Sequence, residues 1–174
     1  MNFLGIDPGL DGAFALLDDA GKVVAITDMP VAKAGKKRVV DETDLVELLE
    51  RLTQGGEIAV ALEKVNGIPG QSAPAAFNFG ASWGLIRGFL ASRRVPYELV
   101  TPQRWKRRIL AGQPKEKDSS RLFAKRKWPE RARDLTRKKD HNRADALLIA
   151  EWLRREHGTT SVAEARTILG VSDD

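Results

Sequence analysis

Three carboxylates stand at the ends of apolar runs. Asp7 closes the run Phe3-Leu4-Gly5-Ile6 and is followed by Pro8-Gly9. Glu63 closes a second run, Ile58 to Leu62 (IAVAL). Asp145 lies in KKDHNRADALLIAEWL, flanked by Ala144, Ala146, Leu147 and Leu148. Taken singly, each has an ordinary structural use. Asp7 could shape its Pro-Gly turn, Glu63 could be a strand-end surface residue, and Asp145 could complement the positive end of its helix. Together they could do chemistry. If neighbouring strands carry Asp7 and Glu63 to one sheet edge and a helix adds Asp145, three negative charges repel unless a cation neutralises them. The chain has no cysteine and only two histidines. That leaves oxygen ligands and favours a hard cation, Mg²⁺ or Mn²⁺. Two such ions about 4 Å apart catalyse phosphodiester displacement.

The charge distribution suggests the substrate. The net charge is +5, but residues 101–143 hold 16 Lys/Arg against 5 Asp/Glu, and the remainder holds 13 against 19. A basic third beside an acidic remainder suits a polyanion; the competing explanation is a solvated helical surface. No apolar run approaches the ~18 residues of a membrane helix. The first residues lack the basic-then-apolar pattern of a signal peptide. A cytoplasmic protein without membrane association is therefore expected.

The elements that must position the carboxylates follow from the apolar pattern. Phe3–Ile6, Gly12–Leu17 and Lys22–Asp28 read as an antiparallel three-strand meander with turns at Asp7-Pro8-Gly9 and Asp18–Gly21. Residues 29–40 read as a polar, basic loop. Asp41 or Thr43 can cap a helix to about Gln54, with Leu45, Leu48, Leu49 and Leu52 inward. Ile58–Leu62 suits a central strand buried on both faces. A glycine-rich loop leads to a helix over 74–93, where Gly80, Gly84 and Gly88 make a smooth face for close packing on another element or on a second copy of the chain. Pro96–Val100 is a fifth strand, and Thr101-Pro102 starts a helix. A basic helix-loop-helix stretch covers 103–138, and the last strong helix runs from about Arg143 to Glu156. The alternation predicts an α/β fold with helices flanking a central sheet and right-handed crossovers into the fourth and fifth strands. One domain over 1–158 and a short tail over 159–174, with at most one short helix, are expected.

Residues 3–17 (FLGIDPGLDGAFALL) resemble the first strand pair of RuvC-type Holliday-junction resolvases, in the RNase H-like superfamily. ALEKV at 61–65 is similar to that family's second catalytic strand, and ADALLIA at 144–150 to its C-terminal catalytic helix. Order and spacing agree over about residues 3–156. The resemblance implies an RNase H-like fold with a five-stranded mixed sheet, three strands in an antiparallel meander and two parallel. It implies a metal-dependent endonuclease that cuts four-way DNA junctions as a homodimer, with two Mg²⁺ or Mn²⁺ ions per site. Asp7, Glu63 and Asp145 match its catalytic carboxylates. Lys106 and Lys117 fall near its functional lysines, with Lys117 as the candidate catalytic lysine. Arg104, Arg107, Arg108 and Arg121 would join both lysines in binding DNA phosphates. Several of Lys125, Arg126, Lys127, Arg131 and Arg133 are expected to be solvated, and Trp105 and Trp128 to pack helices.

The chain departs from that family in two places. The family's acidic or histidine ligand three positions before the last aspartate is here Asn142. Asp140 is the expected fourth ligand, ahead of His141 and Asn142, provided the helix starts at Arg143 with Asn142 as its cap and Asp140 lies in the loop before it. The structural alternative is that Asp140 caps the helix. The family's junction-opening aromatic, three positions after the strand glutamate, is here Asn66. Phe77 and Phe79 read as core residues from their apolar helical context, with base stacking as the alternative. The rival functions are an RNase H-like nuclease for other branched DNA or structured RNA, and a junction-binding protein that does not cut.

Overall fold

The computed structural model describes residues 1–35, 37–64, 72–114, 116 and 118–157. Five strands form one sheet: β1 (Asn2–Asp7), β2 (Ala13–Leu17), β3 (Val23–Asp28), β6 (Ile58–Glu63) and β7 (Tyr97–Val100), in the order β3-β2-β1-β6-β7. The meander β1-β2-β3 is antiparallel, while β1–β6 and β6–β7 are parallel. This is the expected mixed α/β sheet. Its helices are α1 (Glu42–Thr53), α2 (Ala73–Ser92), α3 (Pro102–Ile109), α4 (Ser119–Lys127) and α5 (His141–His157).

Strand alternation separates two cores. Leu4, Ile6, Phe14, Val60 and Leu62 face α1 and α2. Phe3, Ala13, Ala15 and Ala61 face α3, α4 and α5. The second face is built of small residues, so α5 lies close to the sheet. Gly5 sets that distance: a Cβ there would stand 2.2 Å from the Ala146 carbonyl oxygen and 2.4 Å from the Ala150 amide nitrogen. Gly12 plays a similar part in the β1–β2 turn, where a Cβ would meet the Asp7 carbonyl oxygen at 2.1 Å.

Two local expectations are corrected. Residues 29–40 are not a loop but carry a hairpin, β4 (Val31–Ala34) and β5 (Lys37–Val40). Its lysines suggested a solvated loop. However, Gly35 takes φ +63°, the left-handed turn conformation that closes two-residue hairpins. In addition, α5 begins at His141, so Asn142 lies inside the helix and is not its cap. The Asn142 side-chain amide donates instead to the Asp11 carbonyl, tying α5 to the β1–β2 turn. The tail expected over 159–174 lies outside the described residues, as does Asn66.

Candidate active site

Register brings the first two carboxylates together. The last β1–β6 pair is Ile6–Leu62. One residue further on, Asp7 and Glu63 stand side by side at the carboxyl ends of two parallel strands, where open α/β sheets build their sites. Parity sends both side chains to the α5 face, since Gly5 and Ala61, two residues earlier, face that helix. Asp145 precedes Ala146, which packs on Gly5, and so reaches the same edge from above.

Electrostatics records the convergence. Asp7 is pushed up to about 7, first by burial, then by the charges of Glu63 and Asp145. Burial also raises Glu63, with Asp145 adding to the effect and a hydrogen bond from Trp105 opposing it. Burial raises Asp145 against the pull of Lys106, Ser120 and His141. Glu151 on the same helix shows the structural alternative. It is fully buried, yet its carboxyl is held low because Arg154, Arg155 and Lys127 surround it at 2.9, 2.7 and 3.1 Å. Lys127 is therefore not among the solvated charges of its tract but part of the core's charge balance. Among the described residues, one cation forms an ion pair with the three edge carboxylates: Lys106, 3.7 Å from Asp145 Oδ2. Carboxylates perturbed by burial and by one another at a sheet edge are candidates for a functional site.

The donor set fits a hard divalent cation. Asp145 Oδ1 is buried without a hydrogen-bond partner. Asp7 and Glu63 add further carboxylate oxygens, and a divalent ion relieves their mutual repulsion. As oriented, the carboxyls turn to protein donors: Asp7 Oδ1 accepts from the Gly9 amide at 3.3 Å and Glu63 Oε1 from the Trp105 indole at 2.8 Å. Among the described residues, no three acidic or histidine side chains already form a coordination cage.

Asp140 does not join them in its present orientation. It lies in a short 3₁₀ turn before α5, and both its oxygens are taken by Arg137: Oδ2 by the amide at 2.7 Å and Oδ1 by the guanidinium at 2.9 Å. Burial alone would raise its pKa, but these bonds hold it low. These bonds close the 3₁₀ turn itself; among the described residues Asp140 accepts from no amide of α5, so it does not cap that helix either. His141 stands one turn before Asp145 on the same helical face, and its charge acts on that carboxyl.

The basic residues divide. Arg104, Lys106, Arg107 and Arg108 are exposed on α3. Arg104 pairs with Glu98 at 2.7 Å and Arg108 with Glu156 at 3.3 Å. Arg107 makes no ion pair among the described residues. Arg121 departs from its expected DNA-binding role. Its guanidinium grips Asp118 and donates to the Leu135 carbonyl at 2.8 Å, so it fastens α4 to the segment after it. Lys117 lies outside the described residues. Trp105 and Trp128 pack as expected, both buried. Phe77 is corrected: it is 77% exposed and not core. Phe79 is half-buried, its ring beside Gly9.

Sequence reasoning missed two contributors. Gly5 carries no chemistry, and its role shows only once α5 lies on β1. Trp105 reads from the sequence as a packing residue, and nothing in its spacing points to Glu63.

The sheet order and the edge carboxylates define an RNase H-like α/β fold. Within that class the fold is similar to that of RuvC. Thermus thermophilus RuvC in complex with a Holliday junction substrate superposes with a TM-score of 0.60 at 18% identity, covering 91% of this chain and 97% of that one. A second Thermus thermophilus RuvC structure gives 0.53 at 19% identity, over 90% and 96%. At such identities the likeness shows the fold. Among curated proteins, the Holliday junction resolvase MOC1, chloroplastic, of Chlamydomonas reinhardtii is 35% identical over 85 residues, 49% of this chain. The chain spans about a tenth of that relative's length, 10%. No family model matches the chain. No helix among the described residues is long and apolar enough to cross a membrane.

Proposed function

We propose that the chain is a divalent-metal-dependent endonuclease that resolves four-way DNA junctions by paired, symmetric nicks. The observation that carries this reading is the meeting of Asp7, Glu63 and Asp145 at one sheet edge, poorly neutralised and beside a basic helix. The RuvC-like fold and the MOC1 similarity support the junction as substrate, with DNA in the cytoplasm as the setting.

Asp7, Glu63 and Asp145 would hold two Mg²⁺ or Mn²⁺ ions. When bound, such ions activate a water and stabilise the leaving oxygen of an in-line displacement. The chain's own residues do the rest. Lys106 offsets the carboxylates and can turn to a phosphate, because it is long and exposed. Arg104, Arg107 and Arg108 present donors to the DNA backbone, giving sequence-independent affinity that weakens with salt. Lys117 keeps the role the resemblance implies, assisting the developing charge. Asp140 and Arg121 leave the proposed set, and His141 replaces Asp140 as the candidate fourth ligand. Phe77, an exposed aromatic at the start of α2, is the candidate for stacking on a base at the crossover.

The homodimer belongs to this reading. Arg87 is the only charged residue of the 20-residue α2. A helix so apolar on all sides needs cover. Yet Gly80, Gly84 and Gly88 face open space, and a groove of about 640 Å³ runs between α1 and α2 beside Val46, Ala81 and Leu85. A second copy on this face would set two sites symmetrically on a four-armed substrate.

Labelled four-way junction, linear duplex, RNA–DNA hybrid and structured RNA, incubated with the protein and Mg²⁺ or Mn²⁺, separate this reading from its rivals. Preferential cutting of the junction is expected. Preference for RNA or hybrid would move the function elsewhere in the RNase H-like group.

A further inference from the structure

α3 starts immediately after the strand that pairs with Glu63. Glu63 and Val100 are register partners, and the Lys64 amide donates to the Val100 carbonyl at 2.7 Å. Thr101 caps the helix, its Oγ1 accepting from the Arg104 amide at 3.3 Å. Trp105 therefore stands one turn in, about 6 Å along the axis, and is fully buried. Its indole Nε1 donates to Glu63 Oε1 at 2.8 Å. Lys106 Nζ lies 4.9 Å from the centroid of its ring, and the same ammonium reaches Asp145.

We propose that Trp105 is a positioning residue for the metal site: its N–H fixes the orientation of the Glu63 carboxylate and leaves the second oxygen for a cation. The inference rests on the metal-nuclease reading and deepens it. An indole donates, never accepts and carries no charge. It holds a carboxylate without competing with a cation for it, as a lysine in the same place would. The bond is hard to exchange for water, because the indole is buried and would be left unsatisfied if Glu63 turned away. One helix thus serves two carboxylates through consecutive residues, Trp105 on Glu63 and Lys106 on Asp145. Groups that orient ligating carboxylates typically change metal affinity by 10–100-fold when removed.

Trp105→Phe keeps most of the ring and deletes the N–H. Mn²⁺ binding is measured by calorimetry on wild type, Trp105→Phe, Glu63→Gln and the double variant, with melting midpoints alongside. The expected result is a roughly tenfold loss of Mn²⁺ affinity in Trp105→Phe, with junction binding in Ca²⁺ intact. Little further loss is expected when the change is made in Glu63→Gln. Unchanged Mn²⁺ affinity, or an effect that simply adds to that of Glu63→Gln, would overturn the proposal. A wild type that binds no Mn²⁺ would overturn it together with the nuclease reading. If Trp105→Phe does not fold, indole N–H resonances decide. One of the four tryptophan signals should move on Mg²⁺ addition and in Glu63→Gln; four signals indifferent to both would refute the bond's role.

Discussion

At the scale of the residue, Asp7 stores the molecule's clearest conflict between stability and function. Its carboxyl is raised to about 7 from an ordinary 3.8. The folded chain therefore keeps a proton that the unfolded chain releases near pH 4. Stability contributed by this group falls as pH rises from about 4 to 7, and the full cost is present above pH 7. Asp7→Asn removes that cost. Without metal at pH 8 the variant should melt several degrees above wild type, since 1 kcal/mol corresponds to about 2–4 °C at this size. The gap should close towards pH 4. Mg²⁺ should raise the wild-type midpoint at pH 8 and leave the variant's nearly unchanged. Melting curves across pH, with and without Mg²⁺, check both statements; a variant less stable than wild type at pH 8 would contradict them. Phe77→Ala removes a side chain that stabilises nothing inside the fold, so the midpoint should hold within about a degree, as for most surface changes. Fluorescence of 2-aminopurine at the junction crossover should show less unstacking, and cutting should slow.

At the scale of the element, the decisive contact is α5 on β1. Gly5→Ala would drive a methyl into the backbone of α5 at Ala146 and Ala150. Helix and strand must separate, at a cost of about 1–3 kcal/mol. Because Asp145 rides on the moving helix, cutting should fall further than the melting midpoint implies. Ala15→Gly, on the same face, provides the control, with loss of stability but retained chemistry. This contact also marks how far the sequence could be read. β1, β2, β3, α1 and β6 were legible because their patterns are local: alternation, an Asp41 cap, and a short run buried on both faces. Asp7, Glu63 and Asp145 were legible because each breaks an apolar run. The hairpin β4–β5 was not, because four short residues a side with lysines carry no periodic signal. Nor were the fates of Asp140 and Arg121 legible. Their partners, Arg137 and Asp118, sit three residues away, but which way the side chains turn depends on packing against other elements. Trp105 is the clearest case of a role hidden by distance: 42 residues separate it from Glu63.

At the scale of the whole molecule, the proposed dimer would couple α2 to the carboxylate edge. Paired nicks need two sites held in fixed relation, and the open glycine face of α2 is where a second copy can lie. Gly84→Glu sets a charge on that face without touching either core. Sedimentation should find wild type dimeric and Gly84→Glu monomeric, with unchanged circular dichroism. The monomer should nick junctions singly if it cuts at all. A monomeric wild type that still makes paired nicks would remove α2 from the account.

The most direct test of the central claim joins residue and molecule. An end-labelled four-way junction is incubated with wild type or Asp7→Asn in Mg²⁺ or Mn²⁺, the nicks are mapped, and binding is followed in parallel. The account predicts paired nicks symmetric about the crossover for wild type, and undiminished binding without cutting for Asp7→Asn. Folded wild-type protein that binds Mn²⁺ and leaves every branched DNA intact would contradict it.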